Sequence, residues 1–238
     1  GYEVDPAQIL VTNGGKQAVY QAFQTVLNPG DEVLLPAPYW TTYPEVIALA
    51  DGVPVPVFAG ADQDYKVTVE QLEAARTDRT TTLVFVSPSN PTGAVYTPEE
   101  TKAIGEWALA NGLWVITDEI YQNLVYEGTR AVSIVEAVPE LAGQTILVNG
   151  VAKTYAMTGW RIGWMVVPED LVRRIERLAQ NMFICPPHAS QIAALAALDC
   201  IEELEANRAV YAENRRLMLE GLPKAGFPKI APPDGAFF

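Results

Sequence analysis

The chain has 238 residues, of which 49% are hydrophobic, and its formal net charge is −13. This length can bury one large core, and the negative charge argues against nucleic acid or an anionic membrane as a partner. The two cysteines are too few for a disulfide framework and no apolar run has transmembrane length, so a protein of a reducing, cytoplasmic compartment that handles small molecules is expected.

Short apolar runs alternate with longer amphipathic stretches along the chain. In chain order, the pattern predicts a strand at 8–12, a helix at 15–27, strands at 32–36, 53–58 and 82–87, a helix at 97–112, strands at 113–118, 145–150 and 161–167, and helices at 168–182, 187–199 and 201–221. The helix at 97–112 has the clearest limits, since Thr97 and Glu100 form a capping-box pattern and Gly112 follows its end. Prolines in the strand at 53–58 indicate an edge position.

Several predicted strands are continuous apolar runs, which is typical of strands covered on both faces. Together with the strand–helix alternation, this predicts a three-layer α/β/α fold with a mostly parallel central sheet. Ligands of such sheets lie outside the carboxyl ends of the strands. The residues that follow each strand are therefore the candidate site residues.

The first two strands are followed by a glycine pair and an aromatic residue. Gly15 and Lys16 lie in the stretch NGGKQ, which opens a helix whose backbone amides could bind a phosphate; the alternative is a simple strand-to-helix turn. Trp40, in PAPYW, could lie flat over an aromatic ring or could belong to the core.

The next two strands are followed by polar side chains. Asn90, in PSNPTG, could donate a hydrogen bond to a ring oxygen, although this stretch is first of all a tight turn. Asp118 could pair with a protonated heterocyclic nitrogen or could cap a helix. One turn of helix would bring Tyr121 to the same place.

The stretch GVAKTYAMTGWRIG, at 150–163, carries two cations after the strand at 145–150. Lys153 could be a nucleophile whose pKa is lowered by partial burial and by Arg161, which is expected to begin the next strand. Each strand end alone is weak evidence. Jointly, a phosphate cradle, an aromatic plate, an amide, a carboxylate and a lysine are the parts that pyridoxal phosphate requires.

On these stretches the chain resembles the large domain of the fold-type I, class I pyridoxal-phosphate-dependent aminotransferases, in the bacterial aspartate aminotransferase subgroup. Residues 150–163 carry the most specific part of the resemblance, and SPSNPTG, DEIY and GGKQA occur in the family's order. The resemblance covers the whole chain, so residues 1–238 are expected to be one cofactor-binding domain. The family's N-terminal segment and its C-terminal small domain are expected to belong to a longer chain.

The resemblance implies a role for each candidate residue. Lys153 would form the Schiff base with the cofactor, Asp118 would pair with the ring nitrogen, and Trp40 would stack on the ring. Tyr121 and Asn90 would hold the phenolic oxygen, and Asn90 and Trp40 would also contact substrate. The phosphate would be held by Arg161 and by the amides of Gly15 and Lys16.

The resemblance also implies a homodimer that moves an amino group between an amino acid and a 2-oxo acid. Lys16 is associated with acidic substrates in this subgroup, which favours aspartate or glutamate. Aromatic, alanine or prephenate-type substrates are alternatives within the same chemistry. A β-eliminating lyase and an aminotransferase-like effector domain of a transcription regulator are alternatives of other classes.

Overall fold

A computed structural model describes residues 3–238, in which seven strands form one sheet flanked by helices. The strands are β1 Ile9–Thr12, β2 Glu32–Ala37, β3 Val53–Phe58, β4 Thr80–Val86, β5 Trp114–Asp118, β6 Thr145–Gly150 and β7 Gly163–Val166. The helices are α1 Gly15–Val26, α2 Thr42–Leu49, α3 Val69–Ala75, α4 Pro98–Ala110, α5 Ile134–Ala137, α6 Val151–Thr154, α7 Glu169–Met182, α8 His188–Ala197 and α9 Ile201–Lys224. Within this part of the chain, no helix combines the length and apolar character needed to cross a membrane.

The sheet is mostly parallel, as the sequence predicted. Its strand order is β1-β7-β6-β5-β4-β2-β3, and the neighbours from β6 through β3 pair in parallel. The exception is β7, which is antiparallel to both β6 and β1. Strand β3, whose prolines indicated an edge, does lie at an edge of the sheet.

Two apolar layers cover the two faces of the sheet, which confirms the three-layer architecture. Successive side chains of a strand point to opposite faces. In β5, Ile116 packs with residues of α1, α2 and α7, whereas Val115 packs with residues of α3, α4 and α5. Strand β6 shows the same division and is buried along its whole length, so its continuous apolar sequence reflects burial on both faces.

The limits of α4 follow the predicted capping box. Thr97 Oγ1 accepts a hydrogen bond from the Glu100 amide at 3.1 Å, and Glu100 Oε2 accepts one from the Thr97 amide at 2.7 Å. Beyond the helix end, Gly112 has a φ of 64°, in the left-handed region that glycine adopts at little cost. The sequence did not predict α2, α3, α5 and α6, which have only 8, 7, 4 and 4 residues.

A glycine in β7 brings the start of α1 close to the sheet. A Cβ atom on Gly163 would lie 2.6 Å from the amide nitrogen of Gly15, so a larger residue would push the helix away. The amino end of α1 can therefore lie directly beside β7, next to the segment that carries Arg161.

Candidate active site

Five connecting segments meet at one edge of the sheet. Strands β2, β4, β5 and β6 run in parallel, and β1 runs with them because both β1 and β6 are antiparallel to β7. The carboxyl ends of these five strands therefore share an edge with the amino end of β7. This topology brings together residues as far apart in sequence as Lys16 and Arg161.

A cavity of ≈ 270 Å³ opens at this edge. All eight residues predicted from the sequence line it, namely Gly15, Lys16, Trp40, Asn90, Asp118, Tyr121, Lys153 and Arg161. The lining is completed by five further residues, Tyr43, Val86, Ile120, Ala152 and Thr158. The candidate residues thus lie together in the structure, although they are far apart in the sequence.

Lys153 lies in the short helix α6, immediately after β6, and is half-buried. Burial lowers the pKa of its amine, and the positive charge of Arg161 lowers it further, while Asp118 opposes both effects. The Nζ atom lies 5.2 Å from the ring centre of Phe237 and 5.8 Å from that of Tyr121. The environment therefore favours the neutral, nucleophilic form of the amine.

Asp118 is the last residue of β5 and is only 6% exposed. Its Oδ2 accepts a hydrogen bond from the Tyr43 hydroxyl at 2.8 Å, and its Oδ1 accepts one from the Ile120 amide at 3.2 Å. Burial raises the pKa of this carboxyl, whereas both hydrogen bonds and the charge of Lys153 oppose the rise. A buried carboxylate that faces a cavity is suited to a cationic partner.

Two local expectations near Asp118 are wrong. The residues after β5 form a turn rather than a helix, so Asp118 caps no helix and Tyr121 does not reach the cavity by a helical turn. The turn itself carries Tyr121 to the cavity. Burial and the charge of Asp118 raise the pKa of this tyrosine, and a hydrogen bond with Asn90 opposes the rise. The tyrosine therefore remains protonated at neutral pH.

One part of the cavity lining is suited to an anion. Gly15 and Lys16 are the first residues of the 12-residue helix α1, so their amides have no acceptor within the helix. Arg161 lies directly against the preceding loop, because a Cβ atom on Gly14 would be 2.6 Å from its Nη2 atom. The helix amino terminus and a guanidinium thus present positive charge at one place.

Arg161 does not begin a strand, which corrects the predicted limits of 161–167. It has left-handed backbone angles, φ 55° and ψ 46°, and follows the 3-10 turn Thr158–Trp160. Its Nη1 atom donates a hydrogen bond to the Thr158 carbonyl at 2.8 Å. Strand β7 starts only at Gly163, because the left-handed residue must first turn the chain onto the sheet.

Trp40 is half-buried and lines the cavity rather than belonging wholly to the core. The Lys16 amine lies 4.9 Å from the centre of its ring system, a distance at which a cation and an aromatic face attract each other. The ring of Tyr43 stands perpendicular to Trp40 at 5.5 Å. The indole thus forms one wall of the cavity, held from two sides.

The main residue that the sequence analysis missed is Tyr43, which binds Asp118 from 75 positions away. Its spacing from Trp40 was an available signal, because residues three apart at a helix start lie on the same side. A pairing with Asp118 was not readable from the sequence.

Comparison with known proteins shows which family the chain resembles. The family model described as "Aminotransferase class I and II" matches residues 1–238. An aspartate aminotransferase of Streptomyces avermitilis is 53% identical over 242 residues, covering 100% of this chain and 59% of the relative. An aspartate/prephenate aminotransferase of Cereibacter sphaeroides is 42% identical over 240 residues, covering 100% of this chain and 60% of the relative.

The solved structures give the same result. A double mutant of the Thermus thermophilus aspartate aminotransferase superposes with a TM-score of 0.92 at 39% identity, covering 98% of this chain and 61% of that one. The chain therefore spans about three fifths of the length of the relatives that it matches.

Proposed function

Because the chain belongs to the class I and II aminotransferase family, we propose that residues 1–238 are the cofactor-binding domain of an aminotransferase. The proposed reaction moves an amino group between an amino acid and a 2-oxo acid, with pyridoxal phosphate as cofactor. The observation that carries this proposal is the single cavity that contains a half-buried lysine, a buried carboxylate and a helix amino terminus.

The donor set of the cavity fits pyridoxal phosphate from end to end. Arg161 and the amides that open α1 suit a phosphate dianion, and Asp118 suits a protonated ring nitrogen. The indole of Trp40 offers a flat apolar wall for a ring. Tyr121 and Asn90 offer hydrogen-bond donors for the phenolic oxygen of the cofactor.

When bound, pyridoxal phosphate supplies an electron sink for the Cα atom of an amino acid. The tasks of the protein side chains follow from their surroundings. Asp118 would hold the proton on the ring nitrogen, since it is a buried carboxylate in the cavity lining. The pKa of the Lys153 amine is lowered by burial and by Arg161, so this amine would be the group that bonds to the cofactor and that moves a proton at Cα.

We propose aspartate or glutamate as the amino donor. Lys16 supports this choice, because its amine lies beside Trp40 at the cavity wall and could pair with a side-chain carboxylate. The relative named aspartate/prephenate aminotransferase supports prephenate as a second acceptor to be tested. Steady-state rates with aspartate, phenylalanine, alanine and prephenate in the full-length protein would rank these substrates.

We further propose a cytoplasmic homodimer. Support for the dimer comes from large apolar side chains that are exposed on α8 and just beyond it, namely Ile192, Leu195, Leu198 and Ile201. Support for a reducing compartment comes from Cys185 and Cys200, which are both free thiols. Sedimentation of the full-length protein would test the oligomeric state.

The first experiment adds pyridoxal phosphate to the purified chain and records its absorption spectrum before and after reduction with borohydride. We expect a new band that reduction fixes onto the peptide containing Lys153. Lys153→Ala should abolish the band, whereas Lys66→Ala, which removes a lysine paired with Glu100 away from the cavity, should retain it. Labelling of another lysine, or a band that persists in Lys153→Ala, would contradict the proposal.

A further inference from the structure

We infer that Tyr43 is a positioning residue for Asp118: its hydroxyl holds one carboxylate oxygen, keeping the carboxylate ionised and aimed into the cavity. This inference rests on the proposed function, since it assigns Asp118 to a ring nitrogen. It also makes a claim about the chain alone, because the hydrogen bond joins two of its own side chains.

The geometry of the pair carries the inference. The Tyr43 hydroxyl donates to Asp118 Oδ2 at 2.8 Å, and the two residues are only 2% and 6% exposed. A buried carboxylate is costly unless donors compensate for lost water, and a hydrogen bond to a charged group is among the stronger ones. With Oδ1 bound to the Ile120 amide, the carboxylate is fixed in rotation by one donor on each oxygen.

Each carboxylate oxygen has two lone pairs, so two donors leave acceptor capacity that can face the cavity. The Tyr43 hydroxyl cannot lose its proton near neutral pH, because burial and the charge of Asp118 raise its pKa well above the ordinary value. It is therefore a permanent donor. A neutral donor compensates Asp118 without neutralising it, which leaves the negative charge available for a cationic partner.

Tyr43 is also linked to the aromatic wall of the cavity. Its amide donates a hydrogen bond to the Trp40 carbonyl at 3.1 Å, and the two rings meet edge to face at 5.5 Å. The start of α2 thus carries both the indole wall and the donor for Asp118. A shift of either residue would move the other. The position of the Trp40 indole and the orientation of the Asp118 carboxylate are therefore coupled.

Other charged and titratable groups also act on Asp118 or are affected by it. Lys153 lowers its pKa from the α6 side. Burial and, to a smaller extent, the charge of Asp118 raise the pKa values of Tyr121, on the following turn, and of Glu119, the next residue. None of these groups lies on α2, so replacement of Tyr43 leaves them in place.

The first test follows the ligand-free chain. With the aspartate carboxyl carbons labelled by carbon-13, Asp118→Asn identifies the Asp118 signal, and its titration gives the pKa directly. Tyr43→Phe keeps the buried ring and should raise the Asp118 midpoint by roughly one to two pH units, the equivalent of one hydrogen bond to a charged group. Tyr96→Phe is the matched control, since it also removes a buried hydroxyl, one that accepts from the Val67 amide at 2.9 Å.

The second test uses pyridoxal phosphate labelled with nitrogen-15 in its ring. In Tyr43→Phe, the pH at which the nitrogen loses its proton should rise relative to the wild type, because a carboxylate that has lost a hydrogen-bond donor is more basic and holds the N–H proton more strongly. Tyr96→Phe should behave as the wild type. If Tyr43 had only a structural role, Tyr43→Phe would lower stability as Tyr96→Phe does. The midpoints of Asp118 and of the ring nitrogen would then stay at their wild-type values.

The outcomes separate the two proposals. An unchanged Asp118 midpoint, or an unchanged nitrogen midpoint in a variant that binds the cofactor, overturns the role of Tyr43 alone. Failure of the wild type to bind pyridoxal phosphate overturns the proposed function and, with it, any role toward a ring. If Tyr43→Phe does not fold, a ring-fluorinated tyrosine at position 43 serves instead; its more acidic hydroxyl should lower the Asp118 midpoint, and a constant midpoint overturns the inference.

Discussion

Glu119 offers a sharp test of the electrostatics, because it is a carboxylate that is 4% exposed and lies beside Asp118 in sequence. Its Oε1 accepts hydrogen bonds from the hydroxyls of Ser133 at 2.7 Å and Thr117 at 3.2 Å. Burial raises its pKa from 4.5 to about 7, although these hydroxyls and the Ile134 amide oppose the rise. We predict that this one side chain makes the folded chain less stable as pH increases.

The sign follows from proton binding. Between the ordinary value of 4.5 and about 7, the folded state keeps a proton on Glu119 that the unfolded state has lost. The free energy of unfolding therefore falls as pH rises through this window. A difference of roughly 2.5 pKa units corresponds to about 3 kcal/mol, of which about 2 kcal/mol falls between pH ~5.5 and pH ~8.

The assay is urea unfolding of the wild type and of Glu119→Gln at these two pH values, both above the sequence pI of ≈ 4.5. The wild type should lose about 2 kcal/mol more than the variant as pH rises. The comparison uses the change in unfolding free energy with pH, so any pH-independent cost of burying the amide of the Glu119→Gln variant cancels. Glu99→Gln, at an exposed position of α4, controls for the change in net charge. Parallel pH profiles of wild type and Glu119→Gln would refute the reasoning.

Three further substitutions test the candidate site. Asp118→Asn should retain pyridoxal phosphate but reduce turnover of the full-length protein by roughly a hundredfold or more, and near-normal turnover would contradict its role. Gly14→Ala, at φ 82°, should displace Arg161 and thereby weaken pyridoxal phosphate binding by roughly tenfold. The control Gly30→Ala, at φ 86° with open space around it, should only cost about 1 kcal/mol of stability. Equal binding by the two variants would argue against the phosphate site. Lys16→Ala should raise KM for aspartate more than for alanine, and an equal effect on both amino acids would exclude Lys16 from side-chain recognition.

The strands were predictable because burial on both faces leaves a direct trace in composition. The run LVFV in β4 and the run ILV in β6 can only be explained by apolar surroundings on both sides. The helix α4 was predictable for a different reason: its capping box is a local interaction that the sequence states in full.

The short helices were harder to predict because the surrounding fold stabilises them. Helix α2 contains Pro44 and has 8 residues, too few to be stable alone, and it is held by the burial of Tyr43, Val46 and Ile47. Helix α3 did carry a readable signal, since Thr68 and Gln71 form a capping box. The start of β7 was misplaced because the sequence does not indicate that Arg161 adopts left-handed angles.

The candidate site was predictable as a set of residues but not as an electrostatic arrangement. The rule that ligands lie at strand carboxyl ends identified seven of the eight predicted lining residues, and Arg161 was added because it follows Lys153 closely in sequence. The rule contains no information on which of these residues touch. The bond between Tyr43 and Asp118 depends on the relative placement of α2 and β5, which only the packed core defines.

The pKa directions of two cavity residues have a common consequence. Burial raises the pKa of Asp118 and lowers that of Lys153, so the protein surroundings disfavour the charged form of both groups. A ligand that brings a cation to Asp118 and an anion to Arg161 would reverse part of this cost at Asp118. It would also screen Arg161, which lowers the pKa of the lysine. Binding of such a ligand should therefore stabilise the fold by an amount that grows with the logarithm of its affinity at a fixed concentration, and a ligand with only one of the two charges should stabilise it less.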